Sequence, residues 1–213
     1  SIGNEQVMNV IKRYSGVIEE FPRTSTAADC NYRMAVLYLN QLRDRQKAKE
    51  ELLKMIDEYP RHGVTADASI LLGEIYLAEN KHEEARKTFS GVVNTFGRSM
   101  TEQLHKAQYN LAMLEYYEGN IDTASEYFSQ LSQQSNSDIA NDALDMSILI
   151  SLNQNEKDAL KIFAKAELHK YQKNYDNAEN LFRSARESAP QSDLAERTYL
   201  ENAEIYAIRG SYS

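Results

Sequence analysis

Three prolines and 8 glycines in 213 residues are too few for an all-β chain, whose tight turns draw on both residue types every few positions. Cys30 is the single cysteine, so no intramolecular disulfide can form. It reads as a small buried filler, and the redox compartment is not legible from cysteine usage. No stretch approaches the roughly 18 consecutive apolar residues of a membrane span; the richest, Ser147 to Leu152, is short and includes two serines. Basic residues are outnumbered, 24 Lys and Arg against 32 Asp and Glu, for a formal net charge of −8. That balance argues against nonspecific binding to nucleic acid or anionic lipid, both of which need an excess of Lys and Arg on the contact face.

Chemistry-bearing constellations are equally scarce. His62, His82, His105 and His169 are scattered, with no pair at the i, i+4 spacing of a helical zinc site. There is no Gly-rich phosphate loop and no Gly-x-Ser-x-Gly elbow. Neighbouring carboxylates such as Glu50/Glu51 and Glu83/Glu84 read as the openings or solvent faces of helices. No catalytic residue, cofactor or metal ligand emerges, and an enzyme is not expected.

What is present is a repeated pattern. Ala48/Leu52, Ala85/Phe89, Ala124/Phe128, Ala159/Phe163 and Ala178/Phe182 each place a large apolar residue four positions after an alanine. Most follow an apolar segment of helical period ending in Tyr, and the helix formers Ala, Leu, Glu, Lys, Gln and Arg fill the stretches between. The clearest unit runs from about Thr65 to Arg98. Ile70, Leu71, Gly73, Tyr76 and Leu77 mark a first helix, Glu79-Asn-Lys81 a turn, and Ala85, Phe89, Val92, Val93 and Phe96 a second helix. Small residues at Gly73 and Ala85 suit a close approach of the two axes.

These residues resemble the tetratricopeptide repeat, an apolar-Gly pair, a Tyr, then Ala-x3-Phe and a terminal Pro. Leu72-Gly73, Tyr76, Ala85 and Phe89 match, with Gly97 where the Pro belongs. The preceding unit carries Ala48, Leu52 and Pro60 behind the helix Ala28 to Gln41. The following unit carries Leu111-Ala112, Tyr116, Ala124 and Phe128, and a later one Ala166, Ala178, Phe182, Ala185 and Pro190. The resemblance implies an all-α fold, a right-handed α-solenoid of stacked antiparallel helix pairs. It spans 1–213 as a single domain, with units at about 1–23 (partial), 24–60, 65–98, 101–136, 138–173 overlapping 156–190, and 193–213 (partial).

Val7 to Phe21 reads as a second helix without its first, and Leu194 to Ile208 as a first helix without its second. Such bare ends imply further repeats, at least on the C-terminal side, and allow self-association through the uncapped units. The chain therefore reads as an excised fragment. The steps from Ala48 to Ala85 and Ala85 to Ala124 exceed the roughly 34 residues of the repeat, the excess lying in turns such as Tyr59 to Ala66 and Phe21 to Ala27. These Tyr/Phe-Pro turns look like those of bacterial envelope proteins, the outer-membrane assembly lipoproteins and the periplasmic partners of Tol-Pal. They lean toward a periplasmic or envelope-associated setting over the cytoplasm.

The period fails after Ala159. Ala178 follows at little more than half a repeat, so Glu156 to Lys173 reads both as the second helix of one unit and as the first of the next. A chance Ala-x3-Phe at 159 and 163 is the plainer alternative.

The resemblance further implies a groove lined by the first helices, binding a peptide or helix of a partner protein without catalysis. Carried onto this chain, its candidates are Arg33 and Asn40; Glu74; Tyr109, Met113, Tyr116 and Tyr117; Glu167, Lys170 and Tyr171; and Glu204. The tyrosines of 109–117 stand out, since Tyr offers large contact area at low entropic cost; one of the adjacent pair Tyr116/Tyr117 is expected in the core. The Lys/Asn carboxylate clamp of chaperone-binding members is missing, because the matching positions hold Leu37, Glu74, Met113, Glu167 and Glu204. Groove acids suggest a partner segment carrying Lys or Arg. The alternative reading is a structural spacer or assembly subunit of a larger bacterial envelope complex.

Overall fold

A computed structural model describes residues 3–97, 100–134 and 138–210, and every regular element among them is an α-helix. In chain order these are α1 (Asn4–Glu20), α2 (Ser25–Asn40), α3 (Arg45–Glu58), α4 (Gly63–Ala78), α5 (His82–Phe96), α6 (Thr101–Tyr117), α7 (Ile121–Ser132), α8 (Asp138–Leu152), α9 (Lys157–Tyr171), α10 (Tyr175–Ser188) and α11 (Asp193–Gly210). The chain forms two compact units, 1–107 and 108–213.

Local chemistry fixes where the helices start and stop. Thr24 Oγ1 accepts the Ala27 amide at 3.2 Å and caps α2, and Asp44 Oδ1 accepts the Lys47 amide at 3.0 Å and caps α3. The helices α4, α6 and α9 end in one motif. Asn80, Gly119 and Lys173 take φ of 61°, 81° and 61°, and the amides of Lys81, Asn120 and Asn174 return to the carbonyls of Tyr76, Glu115 and His169. This six-to-one closure satisfies carbonyls that the helix end leaves open. The proline turns share a clasp, with a hydroxyl donated to the carbonyl just before each proline: Thr24 to Phe21, Thr65 to Tyr59 and Ser192 to Ala189.

In the first unit α2 packs on both α3 and α4, α4 pairs with α5, and α1 lies on α2. Val7, Ile11, Met34, Ala35, Ala48, Leu52, Met55 and Leu72 form its core. At the α4–α5 crossing a Cβ on Gly73 would stand 2.5 Å from Phe89 Cε1, and Phe89 is fully buried. The glycine is therefore required by the ring, as its spacing suggested. Gly73→Ala is expected to lower unfolding free energy by roughly 1–3 kcal/mol through this overpacking, although alanine is the better helix former. Urea unfolding of Gly73→Ala with and without Phe89→Leu checks it: the smaller side chain at 89 must recover part of the loss.

In the second unit α9 pairs with α10 and also packs on α11, as α2 pairs with α3 and packs on α4. Phe163 of α9 meets Phe182 of α10 edge-on at 5.2 Å between ring centroids. The neighbour of α7 is α8, yet α9 also reaches back past α8. Lys157 Nζ lies 2.6 Å from Asp122 Oδ1, and the Lys161 side chain lies against Gly119. Residues 156–173, doubly readable in sequence, thus supply the first helix of the α9–α10 pair, and α8 packs on α7.

Candidate functional site

Three first helices of the second unit, α6, α9 and α11, meet through polar contacts. Tyr116 on α6 is fully buried, and its hydroxyl donates to Glu167 Oε2 on α9 at 2.6 Å. Lys170, one turn further along α9, donates to Glu201 and Glu204 on α11. Arg197, on the first turns of α11, donates to Asp193 Oδ2 at 2.8 Å.

Burial sets the proton affinities here. Loss of hydration raises the Glu167 carboxyl to about 7; the Tyr116 hydroxyl pulls it down, Glu201 adds to the rise, and Lys170 and Arg197 oppose it. Glu167 is therefore close to half-protonated near neutrality. Burial also pushes the Tyr109 phenol up to about 12, helped by Asp142, Glu167 and Asp145. Tyr117 rises well above its ordinary value for the same reason, with Glu167, Tyr171 and Tyr109 as charged or ionisable neighbours. Burial alone would lower Lys170, but its hydrogen bonds to Glu201 and Glu204 hold it raised. These tyrosines stay neutral hydrogen-bonding groups at any physiological pH, unsuited to act as bases.

Tyr109, Met113 and Tyr117 are half-buried and pack on the hydrophobic core of this unit, Tyr109 against Phe128 at 5.6 Å. Tyr171 is 41% exposed, and Glu204 is exposed. Tyr109, Met113, Tyr117, Glu167, Lys170, Tyr171 and Glu204 are thus spread over neighbouring first helices, with apolar rings beside paired charges. Tyr116, proposed from sequence as a groove residue, is corrected: no part of its ring is open, and it acts only through the hydroxyl that holds Glu167. Sequence reasoning passed over Arg197 and Glu201; their signal was the i+4 and i−3 relation to Asp193 and Glu204 on one helix.

Arg33, Asn40 and Glu74 belong to the first unit. Arg33 and Asn40 are exposed on α2, and Glu74 is half-buried on α4. Arg33 lines an open cleft of about 520 Å³ with Val10, Tyr14, Asp29, Tyr32, Val36, Leu37 and Val64. Burial raises the Tyr32 phenol, as do Asp67 and Glu74 across the same face. Among the described residues no group of three or more His, Cys, Asp and Glu is placed to hold a metal ion, and no helix is long and apolar enough to cross a membrane.

Residues 29–62 and 67–99, which take in most of the α2–α3 and α4–α5 pairs, match the tetratricopeptide repeat family. No curated protein matches the chain. Among solved structures, a tetratricopeptide repeat protein from Parabacteroides merdae is similar over 91% of this chain and 77% of its own, at 16% identity and a TM-score of 0.52. A protein from Podosopora anserina with nearly identical TPR-like repeats is similar over 87% of each chain, at 15% identity and a TM-score of 0.49. At 16% identity the first of these speaks to the fold alone. Among the described residues the chain is all-α, built of adjacent packed helices, and its segments 29–62 and 67–99 match the tetratricopeptide repeat.

Proposed function

We propose that the chain is a non-catalytic protein-interaction module that holds a peptide or helix of a partner against its first helices, with the face of α6, α9 and α11 as the main contact. The observation that carries this reading is the grouping of Tyr109, Met113, Tyr117 and Tyr171 beside the Glu167, Lys170 and Glu204 charges. Rings that are partly open and anchored on a core are costly to leave in water and cheap to immobilise on a partner. Three carboxylates, Glu201, Glu204 and Asp193, together with the half-ionised Glu167, surround two cations, Lys170 and Arg197. The excess of acid favours a ligand segment with Lys or Arg among apolar residues.

Peptides selected on the whole chain by phage display test this directly. They are expected to share basic residues next to aliphatic or aromatic ones, and Tyr171→Ala is expected to weaken their binding about tenfold. Tyr171 is surface-accessible, so its thermal midpoint should barely move. A selection without consensus, or a consensus that binds Tyr171→Ala as well as the parent, would sink the reading.

A further inference from the structure

The outer face of α8 carries a row of exposed aliphatic residues, in contrast to the outer face of α10. On α10 the exposed positions are polar: Asp176, Asn177, Asn180, Arg183, Ser184 and Glu187. On α8 they include Leu144, Ile148 and Leu152, which are 46%, 44% and 64% exposed. Successive spacings of four residues put these three on one shallow-spiralling strip. The opposite side of α8 buries Ala140, Ala143, Leu149 and Ile150, so the open strip is an addition to the face that seats the helix. Packing does not need it, because α6 and α7 reach α9 directly through Tyr116–Glu167 and Asp122–Lys157.

Along one edge of the strip runs a second feature. Asp138, Asp142 and Asp145 follow each other at spacings of four and three, all exposed, and α8 carries no basic residue. At 3.6 residues per turn the aspartate row lies immediately beside the apolar strip. A strip of two leucines and an isoleucine with acid along a single flank is complementary to an amphipathic helix bearing Lys or Arg on the matching flank. A second copy of α8 would bring another acid row with no base to neutralise it, and anionic lipid is disfavoured by the same row.

We infer that α8 is a docking helix for a partner's amphipathic helix whose apolar side covers Leu144, Ile148 and Leu152 and whose basic flank meets Asp138, Asp142 and Asp145. Asp142 and Asp145 stand near Tyr109, so the acid row borders the tyrosine face of α6, α9 and α11, while the apolar strip of Leu144, Ile148 and Leu152 belongs to α8 alone.

The test uses the whole chain and two synthetic helical peptides of about 18 residues, with Leu at matching spacings and either Lys or Glu along one flank. Titration calorimetry is expected to show the Lys peptide binding at least about tenfold more tightly than the Glu peptide, with the preference fading at high salt. Asp142→Lys with Asp145→Lys is expected to reverse the preference, whereas Glu83→Lys with Glu84→Lys on α5, an equal change in net charge, is expected to leave it standing. Leu144→Ser with Ile148→Ser is expected to abolish binding of both peptides while circular dichroism shows the fold kept, and Tyr171→Ala is expected to change nothing. Equal binding of the two peptides, the same reversal from the α5 variant, or loss in Tyr171→Ala would overturn the inference. So would self-association of the parent chain that the serine variant dissolves while neither peptide binds, since α8 would then seat a second copy.

Discussion

Tyr116→Ala is expected to cost about 3–5 kcal/mol of unfolding free energy, enough to take much of a typical domain's 5–15 kcal/mol. The ring is wholly enclosed in the core of the second unit beside Ala112, Ile121, Phe128 and Phe163, so its removal leaves a cavity. Its hydroxyl is also the donor to Glu167. Tyr116→Phe keeps the ring and deletes only that donor, and is expected to cost roughly 1–2 kcal/mol. The two effects separate in hydrogen exchange and chemical denaturation. Tyr116→Ala should lose amide protection across 108–210, while Tyr116→Phe should retain it. Equal, small effects of both substitutions would show that the ring is not a core element.

The second large effect is a pH dependence of stability. In the folded chain the Glu167 carboxyl titrates near 7, against an ordinary value of 4.5. Between these values the folded state holds the proton more tightly than the unfolded state does, so stability falls as pH rises from about 4.5 and levels off above about 7. The full difference corresponds to about 3 kcal/mol as an upper bound, because the residue is not completely shut off from water. Glu167→Gln keeps an oxygen to accept from Tyr116 and cannot ionise. Relative to the parent, this variant is expected to be nearly unchanged at pH 4.5 and more stable by roughly 1–3 kcal/mol at pH 8. Urea unfolding of both proteins across that range checks it, since every other titrating group is common to the two. Parallel stability curves would show that Glu167 is ionised throughout. Tyr116→Phe adds a cross-check: the hydroxyl holds the carboxyl down, so its loss should move the Glu167 midpoint higher still in a carboxyl NMR titration.

The helix pairs were legible because their signals are local. Ala85 and Phe89 lie on one face four residues apart, and Gly73 is demanded by the very ring that the repeat pattern names. Thr24 and Asp44 are cap residues by type and position alike. The site was harder to read, for reasons that lie in register. Tyr116 and Tyr117 are adjacent, so one must turn inward, and the tyrosine pattern alone does not say which. Registering α6 on α4 by their closing residues, Gly119 and Asn80, sets Tyr116 opposite Leu77, which is 2% exposed. That alignment would have assigned Tyr116 to the core.

The Tyr116–Glu167 bond was illegible for a different reason. It joins residues on α6 and α9 across the whole of α8, and nothing in a repeat count announces that a helix will be passed over. The same gap explains Glu156 to Lys173. Ala159 and Phe163 fit a second helix, Ala166 stands before Ala178 as Gly73 stands before Ala85, and only the pairing of α9 with α10 decides between them. Exposure of Leu144, Ile148 and Leu152 also escaped the pattern, because an apolar strip at helical spacing reads as core until its neighbours are known.

The most direct measurement for the central proposal uses two equally open tyrosines. Tyr171 on α9 is 41% exposed and Tyr127 on α7 is 42% exposed, so a photoreactive phenylalanine derivative at either position meets solvent alike. Carried in the whole chain and irradiated in its native cells, the probe at 171 is expected to give a discrete adduct with a partner protein, and the probe at 127 is expected to give none. Adducts of equal yield at both positions, or none at 171, would contradict a partner held on the face of α6, α9 and α11.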